Sequence, residues 1–363
     1  MLKQVNNRIV FLDLLRAFAV IAMIQGHTLD ILLQQSYREG SFVHYLWNFN
    51  RGLTAPLFLF TAGCVFTFVY MNTNSAFHDN PRVKKGLLRG LVLIVIGYLI
   101  KFPTTGFMSF TGVSEKSWQI FYAIDVLQLI GVGLIVLILL FYIWEKSGIE
   151  FNRLIIISIG VLLLLTVLCE YIDWYTYLHP FPAGYLYMGE GAKFPLLPNL
   201  VYILTGAVLG RFIALRQKKV NSRELRINII LYSCLLIIVY EVLNIIHNFS
   251  GNPFNLVSKT TNMVFIRTGM VLIIVLLIME LSSRIRRLPK IIEITGTYTL
   301  LIYVVHLFIL YGSAWNKGIY YYYAGSFTFA GSLLSAAGMV ILMVLLAYWA
   351  YIMEEWKKGI IRK

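Results

Sequence analysis

Hydrophobic residues run along this chain in long blocks rather than in alternation or in narrow amphipathic stripes. Ten blocks, 9–33, 53–72, 86–102, 118–144, 154–171, 194–213, 227–247, 262–282, 291–313 and 326–352, approach or exceed the roughly 20 residues a helix needs to cross a bilayer. Such blocks predict helices that face lipid, because a spanning backbone has to satisfy its hydrogen bonds internally. The longest link, 172–193, is rich in aromatics, Pro and Gly and predicts a folded cap or a re-entrant segment. Gly331 and Gly338 mark the last block as one that tilts or breaks. Gly86-x-x-x-Gly90 and Gly206-x-x-x-Gly210 mark places of close helix contact.

Composition fixes the class. Of 363 residues, 59% are hydrophobic and only 13% charged, and the mean hydropathy is +0.74; soluble domains carry about 25% charged residues. The expected fold is all-α: a polytopic membrane helix bundle of about ten spans forming one integral-membrane domain over 1–363. A net charge of +14 would suggest nucleic acid in a soluble protein, but here it divides by side. With ten spans, 22 of the 31 Lys and Arg fall on the side of both termini and seven on the other, with Arg16 and Arg267 inside spans. That asymmetry places both termini in the cytoplasm and removes nucleic acid as a partner. The first apolar run is too long and too interrupted by charge for a cleaved signal peptide. Cys64, Cys169 and Cys234 lie in apolar runs without ligand spacing, which reads as buried small hydrophobes and predicts no metal centre. The stretch 315–323, WNKGIYYYY, fits an interfacial aromatic belt.

The polar residues inside the blocks carry the chemistry. In LDLLRAFAVIAMIQGHTLD (12–30), Arg16 and His27 are eleven residues apart, so at 100° per residue they lie about 20° apart on the helix and ~16 Å apart along it. Asp13 and Asp30 extend the same stripe by a turn each way. A charge at the bilayer centre costs at least ~2.5–3.5 kcal/mol on insertion scales, so such a stripe implies a partner or a use. In the orientation above, Asp125 and Gln128, Glu241 and Asn244, Arg267, and Thr299, Tyr303 and His306 fall at a similar outer level of their helices. They predict a polar cavity open to the outside, with Arg16 below it. A histidine beside a carboxylate is a general base, and His27 with Asp30 has one-turn spacing. Arg16 either pairs with Asp13 or holds a phosphate or thioester arriving from the cytoplasm. Arg51, placed just before a helix opening at Gly52–Pro56, either snorkels or contributes to donor binding, as does Gln128. His44, on the same outer loop, is kept as a second candidate histidine.

These residues sit in stretches that resemble a known family. FLDLLRAFAVIAMIQGH (11–27) resembles the first-helix signature of the transmembrane acyltransferase superfamily, shared with acyltransferase family 3. RGLTAPLFLFTAGCVF (51–66), IDVLQLIGVGL (124–134) and FPLLPNLVYILTGAVLGR (194–211) resemble patterns of its heparan-alpha-glucosaminide N-acetyltransferase branch, and GTYTLLIYVVH (296–306) a shared penultimate-helix pattern. The resemblance implies a membrane acyltransferase taking an acyl group, expected to be acetyl, from cytoplasmic acetyl-CoA or another acyl-CoA to an extracytoplasmic sugar or glycan. Arg16 and His27 match the superfamily's arginine–histidine motif. The sugar-acetylating branch often has Asn where this chain has His27 and a catalytic His further on, which leaves the catalytic position open between His27 and His44. On this reading His27, Asp30 and Arg16 are catalytic, Arg16, Arg51 and Gln128 bind the donor, and Asp125, Glu241, Asn244, Arg267, Tyr303 and His306 line the acceptor cavity. The expected setting is a bacterial cytoplasmic (inner) membrane, with membrane lipids as neighbours and a homo-oligomer compatible with the sequence. The rival readings are a small-molecule or glycan/lipid transporter without acyl transfer, and a non-catalytic sensor or biosynthetic partner.

Overall fold

The computed structural model describes residues 9–38, 42–73, 75–106, 110–188, 192, 194–216, 222–249, 259–285 and 287–359; the side chains of 42–50, 249 and 259 lie outside the description. The described chain is almost entirely helical. In order the helices are α1 (Val10–Leu32), α2 (Phe42–Met71), α3 (Pro81–Ile100), α4 (Glu115–Tyr122), α5 (Val126–Ser147), α6 (Phe151–Glu170), α7 (Trp174–Tyr177) and α8 (Pro180–Leu186). They continue with α9 (Leu196–Leu215), α10 (Arg223–Phe249), α11 (Lys259–Arg284), α12 (Lys290–Thr297), α13 (Thr299–Leu310), α14 (Ile319–Tyr323) and α15 (Phe329–Lys357). Eight of these spans are long and apolar enough to cross a membrane, and α12 with α13 makes a ninth if that bent pair counts as one. Only 11% of the apolar window of α10 is buried, and α6 and α15 each bury 22%. Large side chains such as Leu164, Leu231 and Leu334 are more than half exposed on them, a surface that lipid covers at no cost. The chain is an integral membrane protein with an all-α helix bundle.

Each predicted block is helical, with four differences. The fourth block breaks at 123–125, because Asp125 and Gln128 form a capping box that starts α5 afresh. The ninth bends by 74° between α12 and α13. There Gly296 lets α12 touch α1, and the Tyr298 hydroxyl donates to the Glu354 carboxylate at 2.5 Å. The second helix begins at Phe42, eleven residues before the predicted start, which puts Arg51 inside it. The last helix runs unbroken through Gly331 and Gly338. The link 172–193 contains the short helices α7 and α8. Of the cysteines only Cys64 is buried; Cys169 is half-buried and Cys234 exposed, so the expectation of three buried thiols holds for one.

The chain divides into two compact units. In the first, α1 packs against α12, α13 and α15. Gly296 faces the Asp13 carbonyl near the start of α1, and Tyr311 reaches His27 near its end, so α1 and α12–α13 run the same way. α15 runs the other way: just before it, Phe327 N–H donates to Leu32 O at 2.9 Å, and Gln34 N–H donates back to Phe327 O at 3.0 Å. In the second unit α3 lies along α5, and α9 packs on α6 and α5. Here the glycines act as the sequence suggested. A Cβ added to Gly206 or Gly210 would sit 2.0 Å from Phe60 O or 2.2 Å from Cys64 O, so α2 and α9 meet backbone to backbone. Arg211 of α9 pairs with Glu150 and lies over the Phe151 ring at 5.3 Å. Burial alone would push the Glu150 carboxyl up. The N–H groups of Arg153 and Asn152 and the Arg211 guanidinium outweigh it and hold the group below its ordinary value of 4.5.

Three expectations follow from this packing. Gly206→Ala lowers the thermal midpoint in detergent sharply, whereas Gly338→Ala, with open space around it, leaves it unchanged. Because the folded carboxyl of Glu150 is depressed, its contribution is present above about pH 4.5 and lost as pH falls through the lower folded value; wild type and Glu150→Gln therefore differ in midpoint at neutral pH and converge in acid. Finally, helices that run the same way across a membrane are separated by an odd number of crossings. Among the described residues six candidate spans lie between α1 and α12–α13, so α3, though basic at Lys84, Lys85 and Arg89, is expected to be the seventh. On a cysteine-free background, Ser75→Cys and Thr105→Cys are then labelled from opposite faces; labelling from the same face removes α3 from the count.

Candidate functional site

The first unit collects the polar residues of α1 into two clusters. At the start of α1, Asp13 is buried and pairs with Arg16 at 4.0 Å. The turn that carries them touches α12, where a Cβ on Gly296 would lie 2.7 Å from Asp13 O and 3.5 Å from Arg16 Cβ. The Arg16 side chain remains 22% exposed.

At the other end of α1, half-buried His27 meets α13. His27 Nδ1 and the Tyr311 hydroxyl form a 3.1 Å hydrogen bond, with the two rings edge to face at 83°. His306, fully buried, has its ring centre 5.6 Å from that of His27 and 5.5 Å from that of Tyr303, itself 2% exposed. A carbonyl can only accept, so His306 Nδ1–H donates to Ile302 O at 2.9 Å. Thr299, Tyr303 and His306 lie on the buried side of α13, and His306 meets His27 of α1.

Asp30 takes a different place from the one predicted. Its carboxylate pairs with Arg51 at 3.0 Å and with Arg38 at 4.0 Å, and Arg38 also donates to the carbonyls of Asp30 and Leu33 at the end of α1. Arg51, read as a donor-binding or snorkelling residue, is thereby held by Asp30 beside the histidine cluster. One-turn spacing put Asp30 near His27 but could not show that two cations from farther along the chain would claim its charge. Tyr311 was missed altogether, for it lies among many tyrosines and only the end of α13 brings it to His27. His44 falls in the segment whose side chains lie outside the description.

The other predicted cavity residues belong to the second unit. Asp125 caps α5, accepting from Val126 N–H at 2.8 Å, and pairs with Lys101 at 3.1 Å. Gln128 is fully buried against Gly97 of α3. Its Oε1 accepts from Asp125 N–H, and its Nε2 has no hydrogen-bond partner among the described residues. It is a packing and capping residue, not one open to a donor. Arg267 of α11 bonds the buried Tyr202 hydroxyl of α9. Asn244 is half-buried on α10, and Glu241 is exposed, not drawn into a polar interior. Among the described residues no group of three or more His, Cys, Asp or Glu converges with metal-binding geometry.

A family described as heparan-alpha-glucosaminide N-acetyltransferase, catalytic, matches residues 8–247, which include Arg16, His27, Asp30 and Arg51 and stop short of His306 and Tyr311. A search of curated proteins gave no match. With about two thirds of its length matched, the chain belongs to the heparan-alpha-glucosaminide N-acetyltransferase catalytic family, a family of membrane acetyltransferases.

Proposed function

We propose that this protein moves an acetyl group from acetyl-CoA, supplied on the cytoplasmic side, to a sugar or glycan on the other side of a bacterial cytoplasmic membrane. The observation that carries this reading is the arrangement along α1 within a chain of this family: Arg16 at one end, and His27 with His306, Tyr303 and Tyr311 at the other. The donor is charged and confined to the cytoplasm, while the acceptor lies outside. A site serving both must span depth, and ~16 Å separates Arg16 from His27 along the helix.

In the simplest scheme His27 takes the proton of the acceptor's hydroxyl or amine as that atom attacks the thioester carbonyl. A C–O or C–N bond forms, the C–S bond breaks, and CoA leaves as thiolate. Arg16, its side chain part-exposed beside Asp13, offers charge to the donor's phosphates or carbonyl. Arg51, tied to Asp30 but half-exposed, fits recognition of a polar acceptor better than donor binding, since it stands at the His27 end. The basic loops put both termini on the cytoplasmic face, with ten spans. A second reading, transport without chemistry, draws on the bent α12–α13 pair, since broken helices build transporter sites. It predicts no consumption of thioester.

Purified protein incubated with acetyl-CoA and glucosamine or glucose as probe acceptors tests the two. Wild type is expected to bind acetyl-CoA and consume thioester. Arg16→Ala should weaken binding about 10- to 100-fold, the value of one hydrogen bond to a charged group. His27→Ala should still bind but lose about 10²- to 10⁴-fold in turnover, the usual span of general-base catalysis. Folded wild type that neither binds nor consumes acetyl-CoA removes the acyltransferase reading in favour of transport.

A further inference from the structure

A general-base histidine works only if the lone pair is on the nitrogen that faces the proton it takes. In most such pairs a carboxylate on the opposite nitrogen decides this. Here the carboxylate one turn away is engaged elsewhere, for Asp30 is held by Arg51 and Arg38. What lies against His27 Nδ1 is a phenol.

We propose that Tyr311 is the positioning residue for His27: His27 Nδ1–H donates to the Tyr311 hydroxyl oxygen, and Nε2 carries the lone pair. The distance, 3.1 Å, is that of a hydrogen bond, and the edge-to-face setting of the rings brings the phenol oxygen to the imidazole edge. Tyr311 is 43% exposed, and the end of α13 sets its position. It caps α13, its N–H donates to Leu307 O at 2.8 Å, and its ring stacks on Tyr320 of α14 with centres 6.4 Å apart. The neighbouring histidine is held in the same manner by independent means, since His306 Nδ1–H is fixed on Ile302 O. The first unit thus holds two imidazoles 5.6 Å apart, each anchored through Nδ1 by a neutral acceptor. A neutral partner suits a span. It sets the tautomer without burying another negative charge, which at this depth would need a further cation.

The purpose of this arrangement rests on the acyltransferase reading; its geometry does not. During transfer the acceptor's proton goes to His27 Nε2, the acceptor heteroatom bonds the acetyl carbon, and the C–S bond breaks with release of the thiolate. Tyr311 touches none of these atoms and acts through His27 alone.

The test reads the tautomer directly. The full chain, labelled with ¹⁵N-histidine and reconstituted in lipid, is examined by solid-state NMR, with His27→Gln used to assign the His27 signals. Turnover of acetyl-CoA with a glucosamine probe is measured on the same samples. In wild type, His27 is expected as the Nδ1–H tautomer. Tyr311→Phe, which keeps the ring, should mix the tautomers and lower kcat about 10- to 100-fold, below the full value of a general base, with KM changed less than about twofold. Asp30→Asn should leave the tautomer of His27 as in wild type. Wild-type His27 found as Nε2–H overturns the proposal without reference to any variant, as does a Tyr311→Phe protein that keeps both tautomer and kcat. A tautomer that shifts in Tyr311→Phe, in a protein whose wild type consumes no thioester, supports the positioning role and removes the acyltransferase reading instead.

Discussion

The controlling constraint is the cost of polar groups in hydrocarbon. A helix that spans a membrane carries charge only where something else on the protein answers it. In the first unit the answers are specific. Asp13 and Arg16 face each other within one turn, Asp30 is met by Arg51 and Arg38, and His27 is met by Tyr311. His306 turns Nδ1–H back onto the Ile302 carbonyl one turn below. Each pairing also fixes a side chain in space. The same energetics that make these residues tolerable therefore make them a candidate site.

The backbone follows from the same constraint. Helices of mostly apolar surface gain little from burying it against one another, so close approach has to come from small residues. Gly206, Gly210 and Gly63 let α2 and α9 come together at their carbonyls, and Gly296 does the same for α12 on α1. That last contact lays the bent segment against the turn of Arg16 and Asp13. The bend between α12 and α13 then redirects the chain, and α13 brings His306 to His27 of α1. One span thus serves both ends of the first helix.

Much of this was legible in the residues. The apolar blocks gave the helices, because length and hydropathy alone decide a span. The GxxxG pairs marked close helix contacts without naming the partners, which are α2 for Gly206 and Gly210 and α5 for Gly90, and the 100° spacing placed Arg16 and His27 on one stripe. What stayed hidden were partners distant in sequence. Nothing local says that Arg51 belongs to Asp30, because the second helix reaches back to Phe42 and carries Arg51 inside it. Nothing local singles out Tyr311 from its neighbouring tyrosines. The breaks at Asp125 and Tyr298 were also missed, for each interrupts an apolar run that hydropathy reads as continuous. Asp125 did leave a signal: with Gln128 three residues on, it has the form of a capping box.

In the proposed function an acetyl group passes from a thioester on one face to an acceptor on the other by way of His27. Sealed vesicles holding the protein test it most directly, with acetyl-labelled CoA supplied only on the face of the basic loops and glucosamine enclosed on the other. The account predicts labelled N-acetylglucosamine appearing inside wild-type vesicles and its loss with His27→Ala. Label that accumulates equally with both proteins, or glucosamine that is acetylated only when it shares a compartment with acetyl-CoA, would contradict it.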